Sequence, residues 1–202
     1  MERIEYKIDI DKSNKIHFYN FLKKKKAKKI FKDRIVNSIY FDNSKLEMYN
    51  DTVEGISPRK KIRLRYYGNE KLTEKTNINL EIKYSKPNMR SKISKRIYDP
   101  YKYFHQGCLD SQYGICYPIT IVKYNRSYYR TANFRVTIDE NIEFASFNKF
   151  KFKKKVASIN EIIVEVKNNN TSSIEILDKE FPFQNTRFSK YCKSIDNLII
   201  YN

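Results

Sequence analysis

The sequence predicts an α+β fold built on antiparallel strands that each have one apolar face and one charged face. Five segments show this alternation, most clearly residues 61–66 (KIRLRY) and 80–84 (LEIKY). Two arrangements satisfy the pattern: an open sheet with one solvated face, or a closed barrel with a polar lumen and an outer cover of helices. Cations outnumber carboxylates on the charged faces, so a closed lumen would need an anion inside it. The barrel therefore predicts a polyanionic ligand.

The N-terminal half alternates strands with short helical segments. In chain order we predict a strand at residues 3–10, a helix from 11–13 to about 29, a strand at 35–42, a helical turn at 44–50 and a strand pair within 59–84. The helix is expected to bury Ile16, Tyr19 and Leu22, which recur at helical spacing. The lysines at its end are expected to be solvated, because cations are favoured at a helix C-terminus.

The C-terminal half contains three further strands and ends in a helix. Pro87 excludes the basic segment 86–92 from the middle of a sheet. We next predict a helical or irregular segment at 95–112, with Tyr98, Tyr101, Tyr103 and Phe104 packed on the sheet. Strands are predicted at 117–129, 134–139 and 162–167, with a basic surface run at 149–155. A loop at 168–173, a short helix at 174–180 and a last helix from 187 to about 199 follow.

Charge and glycine content restrict the class of ligand and the way it can be bound. The 202 residues suit one domain over 1–202, and 41 Lys and Arg against 23 Asp and Glu give a net charge of +18. Such a surplus predicts anionic partners. The four glycines exclude a Walker A loop, a kinase glycine loop and a Rossmann fingerprint, so side chains must hold any phosphate.

Cysteine spacing and hydropathy predict a cytoplasmic protein without a membrane span. The three cysteines form no CxxC pair, and their odd number argues against a secreted disulfide framework. A zinc site at His105 and Cys108 is not expected, because no companion pair is present. No apolar run reaches the roughly 18 residues of a membrane span, and the charged N-terminus differs from a secretory signal.

The candidate site consists of charged side chains on the predicted polar faces. They are Lys7, Arg63, Arg65, Lys83, Arg126, Arg135, Lys167 and Lys190, with the carboxylates Glu5, Glu81 and Glu165. Arginines offer bidentate forks to phosphate oxygens and lysines offer point charges. A divalent cation that bridges phosphates needs a hard oxygen ligand, whereas a surface that only holds nucleic-acid phosphates gains nothing from carboxylates.

Eight short motifs in chain order resemble one known family. They are residues 3–7 (RIEYK), 38–42 (SIYFD), 62–68 (IRLRYYG), 80–83 (LEIK), 124–126 (YNR), 135–139 (RVTID), 164–167 (VEVK) and 187–191 (RFSKY). Together they resemble the VTC domain, the catalytic module of vacuolar transporter chaperone polyphosphate polymerases, in the CYTH-like triphosphate tunnel metalloenzyme superfamily. The resemblance covers nearly the whole chain.

The resemblance implies a closed antiparallel β-barrel of about eight strands, with flanking helices and a C-terminal helix, that binds ATP with Mn²⁺ or Mg²⁺ and extends inorganic polyphosphate. By analogy, phosphates would contact Arg63, Arg65, Lys83, Arg126, Arg135, Lys167 and Lys190, assisted by Tyr124, Arg187, Ser189 and either Arg90 or Lys92. Lys7 would lie beside the transferred phosphoryl group. Glu165 would bind the metal, with Glu5 and Glu81 as further candidate ligands.

One departure from the hydrolytic relatives favours synthesis over hydrolysis. Those relatives have Glu-x-Glu-x-Lys on the first strand, whereas here Arg3 precedes Glu5 and Lys7. Fewer carboxylates favour holding a long anion over activating a water. Two alternatives remain open: an inorganic triphosphatase of the same fold, and a non-catalytic module that binds polyphosphate or nucleic acid. No specific nucleic acid is expected as a partner, and the sequence leaves open a separate membrane-protein partner.

Overall fold

The computed structural model describes residues 5–68, 72–73, 76–87, 89–148, 151–152, 157–168, 179, 181 and 183–200. Its internal contacts divide the chain into two compact units, which are described separately. The first unit comprises Met1–Arg34, Tyr124–Ile142 and Ile159–Phe188, and the second comprises Ile35–Lys123, Glu143–Ser158 and Ser189–Asn202. A single domain over the whole chain stays a prediction.

The described elements confirm the α+β class. The strands are β1 (Glu5–Ile10), β2 (Lys28–Asp42), β3 (Arg59–Tyr67), β4 (Ile78–Lys86), β5 (Met89–Ile97), β6 (Cys108–Asp110), β7 (Gly114–Arg130), β8 (Phe134–Asn148), β9 (Lys151–Phe152), β10 (Ala157–Ile159) and β11 (Ile162–Asn168). The helices are a 3₁₀ turn (Lys12–Asn14), α1 (Lys15–Lys24), α2 (Glu47–Glu54), α3 (Pro100–Gln106) and α4 (Lys190–Ile200).

The strand order has two ends, so the predicted closed barrel is not confirmed. The main path is β1-β11-β8-β7-β2-β3-β4-β5, while β6 pairs with β7 and both β9 and β10 pair with β8. The path contains eight strands, as expected, but within the described residues β1 and β5 do not pair with each other. Eight of the nine residues of β5 are exposed, which is typical of an end strand.

The first unit buries the apolar faces of three antiparallel strands, β1, β11 and β8. Their paired residues Tyr6 and Val166, and Val164 and Ile138, belong to one buried cluster. Phe18 of α1 is fully buried in the same cluster, and its ring contacts Phe183 and Phe21. Because side chains alternate along a strand, burying these residues leaves the charged residues between them on the opposite face.

The second unit repeats the arrangement on β2, β3 and β4. The pairs Ile39 and Leu64, and Phe41 and Ile62, are buried, so the apolar residues of β2 and β3 lie on one face. Direct cross-strand partners lie on the same face of a sheet. The arginines and lysines that alternate with these residues therefore lie on the other face, as the sequence predicts.

The predicted first helix is too long and its buried face is partly wrong. The helix ends at Lys24 instead of about Lys29, because Lys26 adopts a positive φ of 52° and β2 begins at Lys28. Phe18 and Leu22 are its buried residues, whereas Ile16 is 74% exposed. The sheet meets the helix along the line of Phe18 and Leu22, so an apolar side chain in the first turn stays in solvent.

The prediction of a helical or irregular segment at residues 95–112 is also partly wrong. Strand β5 continues to Ile97, only Pro100–Gln106 is helical, and β6 follows. Of the four aromatic residues expected to pack there, Phe104 is buried while Tyr98 is 78% exposed. The polar sequence of β5 shows no alternation of apolar residues, because neither of its faces is buried.

Three smaller outcomes complete the comparison. Helix α2 begins at Glu47 rather than Ser44, and α4 begins at Lys190 rather than Arg187. All three cysteines are free thiols, as predicted. Several predicted features lie outside the described residues: Arg3, positions 149, 150 and 153–155 of the basic run, residues 169–173 of the loop, and residues 174–178 and 180 of the short helix.

Within the described part of the chain, no helix is both long enough and apolar enough to cross a membrane.

The burial of Phe18 and the exposure of Ile16 give a direct test of the corrected helix face. We expect Phe18→Ala to lower the free energy of unfolding by about 3–5 kcal/mol, because it opens a cavity in the first unit. The matched variant Ile16→Ala, two residues away, should change it by no more than about 0.5 kcal/mol. Urea unfolding of both variants measures the difference, and equal losses would contradict the assigned face.

Candidate functional site

The polar face of the first unit brings five predicted site residues together. We call Glu5, Lys7, Arg135, Glu165 and Lys167 the first cluster. Their strands pair so that Glu5 lies opposite Lys167, Lys7 opposite Glu165, and Lys167 opposite Arg135. The pairing places three cations and two carboxylates side by side on β1, β11 and β8.

Two carboxylates of the first cluster share one lysine. The Nζ atom of Lys167 lies 3.0 Å from Glu165 Oε2 and 3.4 Å from Glu5 Oε2. Burial raises the pKa of Glu5, and a hydrogen bond with Glu165 and the charge of that residue raise it further. Paired carboxylates of this kind gain from an additional positive charge. The Nζ atom of Lys7 donates to the carbonyl oxygen of Phe188 at 2.9 Å.

Arg135 has a buried donor without an acceptor. Its Nε atom is buried, and no hydrogen-bond partner for it exists among the described residues. A buried, unsatisfied charged donor costs folding free energy, so such groups usually have a functional reason. An anionic ligand is the partner that the charge and geometry of a guanidinium favour.

Arg126 and Tyr124 on β7 form a different arrangement in the same unit. The Nε and Nη2 atoms of Arg126 donate to the two oxygens of Asp139 at 2.6 and 2.7 Å. The guanidinium also lies 5.3 Å from the ring of the buried Tyr124. Burial alone would lower the pKa of Arg126, but Tyr124 and Asp139 hold it well above its usual value. The charge of Arg126 is thus already offset, and its predicted phosphate contact stays a prediction.

The second unit brings five further predicted residues together on β3, β4 and β5. We call Arg63, Arg65, Glu81, Lys83 and Lys92 the second cluster. Arg63 donates to Glu81 Oε2 through Nε at 2.8 Å and through Nη2 at 2.5 Å. Lys92 Nζ donates to the other oxygen at 3.1 Å, and Arg65 Nη1 lies 3.7 Å from Oε2. Lys83 lies opposite Lys92 in the strand register.

Glu81 is committed to these cations, which does not favour the metal role predicted for it. Burial would raise the pKa of Glu81, but Arg63 and Arg65 outweigh burial and lower it from 4.5 to about 2. Both carboxylate oxygens already accept charged donors. Glu81 therefore holds Arg63, Arg65 and Lys92 in position.

Three polar residues next to the second cluster were missed by the sequence analysis. Lys61 lies opposite Lys83 and donates to Ser189 Oγ at 2.9 Å. The Tyr40 hydroxyl accepts from Arg63 Nη1 at 3.1 Å, and Ser38 Oγ accepts from Arg65 Nε at 3.4 Å. Lys61 could have been found, since it occupies the same alternate positions as Arg63 and Arg65. Ser38 and Tyr40 carry no charge, so their alternation gave no signal.

The remaining predicted residues lie at the start of α4 and on the exposed strand. Ser189 Oγ also accepts from the backbone N–H of Cys192 at 3.3 Å, which caps the helix that begins at Lys190. Arg187 and Arg90 are exposed. Of the two alternatives on β5, Lys92 is the one in contact with the second cluster.

Comparison with known proteins identifies the family. A model of the VTC domain matches residues 2–106 and 109–199. The chain belongs to the VTC domain family. No curated protein sequence matches this VTC domain.

Solved structures of low sequence identity share the fold of the VTC domain. A candidate adenylate cyclase from Vibrio parahaemolyticus is 13% identical over 97% of this chain and 98% of its own, with a TM-score of 0.55. HpAC1 from Hippeastrum, a candidate adenylyl cyclase described as having a dominant triphosphatase activity, is 12% identical over 97% and 96%, with a TM-score of 0.58. A chain of the Schizosaccharomyces pombe Mediator head module is 10% identical over 99% and 92%, with a TM-score of 0.53.

The donor set of the first cluster fits a divalent metal that is shared with a substrate. The described residues contain no group of three or more His, Cys, Asp or Glu side chains that could hold a metal by themselves. Mg²⁺ and similar ions are commonly held by one or two carboxylates together with substrate phosphates and water. Glu5 and Glu165 supply such a pair, whereas Glu81 does not fit.

Loss of charge at Arg126 and at Arg135 of the first unit is expected to have opposite effects on stability. Arg126→Gln should lower the free energy of unfolding by about 3–5 kcal/mol, because it leaves the carboxylate of Asp139 buried without its partner. Arg135→Gln should leave stability unchanged or slightly raised, because it removes an unsatisfied buried donor, while weakening tripolyphosphate binding about tenfold or more. Urea unfolding and titration calorimetry measure both. Strong destabilisation by Arg135→Gln would contradict the binding role.

The low pKa of Glu81 predicts a specific pH dependence of stability. A carboxyl whose pKa falls from 4.5 to about 2 on folding contributes about 3 kcal/mol. The contribution is fully present above pH 4.5 and is lost as the pH falls towards 2. Glu81→Gln should therefore destabilise the protein at neutral pH, by an amount that shrinks below pH 4.5. Urea unfolding at several pH values tests this, with the exposed Glu54→Gln as control; a gap independent of pH would contradict the assignment.

Proposed function

We propose that this VTC domain is an ATP-dependent polyphosphate polymerase, which transfers the γ-phosphoryl group of ATP to a growing inorganic polyphosphate chain. The observation that carries the proposal is the charge of the two clusters, in which seven cations accompany three carboxylates. The cations lie on structured strands, so their positions are set before a ligand binds. A linear phosphate polymer supplies the negative charge that such surfaces lack.

The reaction suits these side chains because phosphoryl transfer needs little covalent chemistry from the protein. The bond between the γ-phosphorus and the oxygen bridging it to the β-phosphorus breaks, and a terminal oxygen of polyphosphate forms the new P–O bond. ADP leaves, and the polymer gains one phosphate. The protein must align the reacting groups and offset the charge on the phosphoryl oxygens. In the first unit, Arg135 is proposed to bind those oxygens, with Lys7 beside the transferred group. In the second unit, Arg63 and Arg65 are proposed to bind phosphate oxygens.

Glu5 and Glu165 are proposed to hold Mn²⁺ or Mg²⁺ together with phosphate oxygens. The bound ion would supply positive charge and a bridge between neighbouring phosphates. The raised pKa of Glu5 means that protons compete for this site, so metal affinity is proposed to fall as the pH decreases. Lys167 contacts both carboxylates and would keep the pair in place before the ion arrives.

A second candidate function is an inorganic triphosphatase. The carboxylate pair favours it, because carboxylates near a bound phosphate can orient a water for attack. The likeness to HpAC1, for which a dominant triphosphatase activity is described, supports it at the level of the fold. In this reaction water replaces the terminal oxygen of polyphosphate as nucleophile, and orthophosphate is released without chain growth. A binding module without catalytic activity is the third alternative.

Products from ATP and from tripolyphosphate distinguish the three functions. With ATP and Mn²⁺, the polymerase should form ADP and an acid-labile polymer whose length grows with time. The triphosphatase should release orthophosphate from tripolyphosphate, and the binding module should do neither while still retaining the polymer in a salt-dependent manner. Gel electrophoresis of the polymer and phosphate release measure the outcomes. Absence of both polymer and ADP across metals and pH would refute the proposal.

The carboxylate pair supplies the matched variants. Glu165→Gln should reduce polymer synthesis by about a hundredfold or more, since loss of a metal ligand removes charge stabilisation that many sites depend on. EDTA should abolish synthesis in the unmodified protein. Glu54→Gln makes the same chemical change at an exposed position of α2 and should leave activity unchanged. Full activity of Glu165→Gln would exclude this residue as the metal ligand.

A further inference from the structure

Tyr191 is a buried residue at the start of α4, immediately after Lys190. Its side chain is 1% exposed, and its hydroxyl donates to Asp42 Oδ2 at 2.5 Å. The aromatic ring stacks on Tyr40 of β2, with centroids 5.2 Å apart and an interplanar angle of 27°. One side chain thus joins the first turn of α4 to two positions of β2.

The acceptor of this hydrogen bond is itself rigidly held. The Asp42 carboxylate is fully buried and also accepts from the backbone N–H groups of Asn43, Met48 and Tyr49, at 2.8, 3.1 and 3.0 Å. These donors belong to the start of α2 and the residues before it. A carboxylate with four donors has a fixed position, so the Tyr191 hydroxyl is bound to an anchor that cannot easily move.

The other partner of Tyr191 belongs to the second cluster. The Tyr40 hydroxyl accepts from Arg63 Nη1 at 3.1 Å, and Arg63 in turn holds Glu81. Burial would raise the pKa of the Tyr40 phenol, but the charges of Arg63, Arg65 and Lys190 lower it overall. Lys190 is therefore close enough to Tyr40 for its charge to act on the phenol.

We propose that Tyr191 is a positioning residue for phosphate binding: its bond to Asp42 and its stack on Tyr40 fix where Lys190 points relative to Arg63. The inference deepens the proposed function and rests on it for the identity of the ligand. Tyr191 itself touches no phosphate. Its effect reaches the ligand through Lys190, whose long side chain has no rigidity of its own.

The structure contains a contact of the same kind that should lack this effect. The hydroxyl of Tyr49 on α2 donates to Asp196 Oδ1 on α4 at 2.6 Å. This bond also ties α4 to α2, and Asp196 lies six residues after Lys190 in the same helix. If anchoring of α4 alone mattered, Tyr49→Phe and Tyr191→Phe would change ligand binding alike.

A double-mutant cycle with Lys190 tests the proposal. The dissociation constant for tripolyphosphate is measured by titration calorimetry for the full chain, Tyr191→Phe, Lys190→Ala and the double variant. We expect Tyr191→Phe to weaken binding about tenfold when Lys190 is present, and less than about twofold when Lys190 is already alanine. Tyr49→Phe should weaken binding less than about twofold in either background. Thermal unfolding of each variant shows whether stability follows the same pattern.

Additive effects of Tyr191→Phe and Lys190→Ala would overturn the proposal, as would a loss of affinity in Tyr49→Phe equal to that in Tyr191→Phe. If Tyr191→Phe does not fold, Tyr40→Leu and Tyr40→Phe are compared instead. Both lose the hydroxyl that accepts from Arg63, but only Tyr40→Leu loses the ring on which Tyr191 stacks, so the difference between them is expected to depend on Lys190. Binding requires no catalysis. Coupled binding without polymer synthesis would therefore refute the polymerase alone, whereas polymer synthesis with additive binding effects would refute only the positioning role.

Discussion

Repulsion between cations on neighbouring strands is the constraint that shapes both units of this domain. The register places Lys61 opposite Lys83, and Lys83 opposite Lys92, so three lysines occupy directly opposed positions across β3, β4 and β5. Like charges in directly opposed positions destabilise a sheet. Burial of Ile62 and Leu64 on the other face of β3 favours folding despite this repulsion, and Glu81 offsets part of the charge.

The carboxylates of the protein meet this constraint in different ways. Asp139 accepts from Arg126 through both carboxylate oxygens and forms a buried ion pair with it. Glu81 accepts from Arg63 and Lys92 and holds these two side chains close together. Glu5 and Glu165 instead face each other across one lysine. Two neighbouring carboxylates gain from an added cation, so this pair is the candidate for a metal.

Neutral residues contribute to the site through position rather than charge. Tyr40 and Ser38 accept from Arg63 and Arg65, so each guanidinium has a polar neighbour besides Glu81. Tyr191 and Asp42 extend this support to the start of α4. Side chains that are held before the ligand arrives lose less entropy on binding. Folding therefore supplies the free energy that brings these cations together, so a bound phosphate chain would not have to supply it.

The sequence by itself determined the strands that alternate apolar and charged residues, and the side chains on their charged faces. Side chains along a strand point alternately to opposite faces, so burial of Ile62 and Leu64 places Arg63 and Arg65 on the other face. Only the tertiary structure decided which charges are neutralised. Asp139 and Arg126 are thirteen residues apart, and no local rule distinguishes their pair from the unsatisfied Nε of Arg135. Ion-pair partners depend on strand register and on contacts between distant segments. The exposure of Ile16 and the bond between Tyr191 and Asp42 also depend on contacts between distant segments.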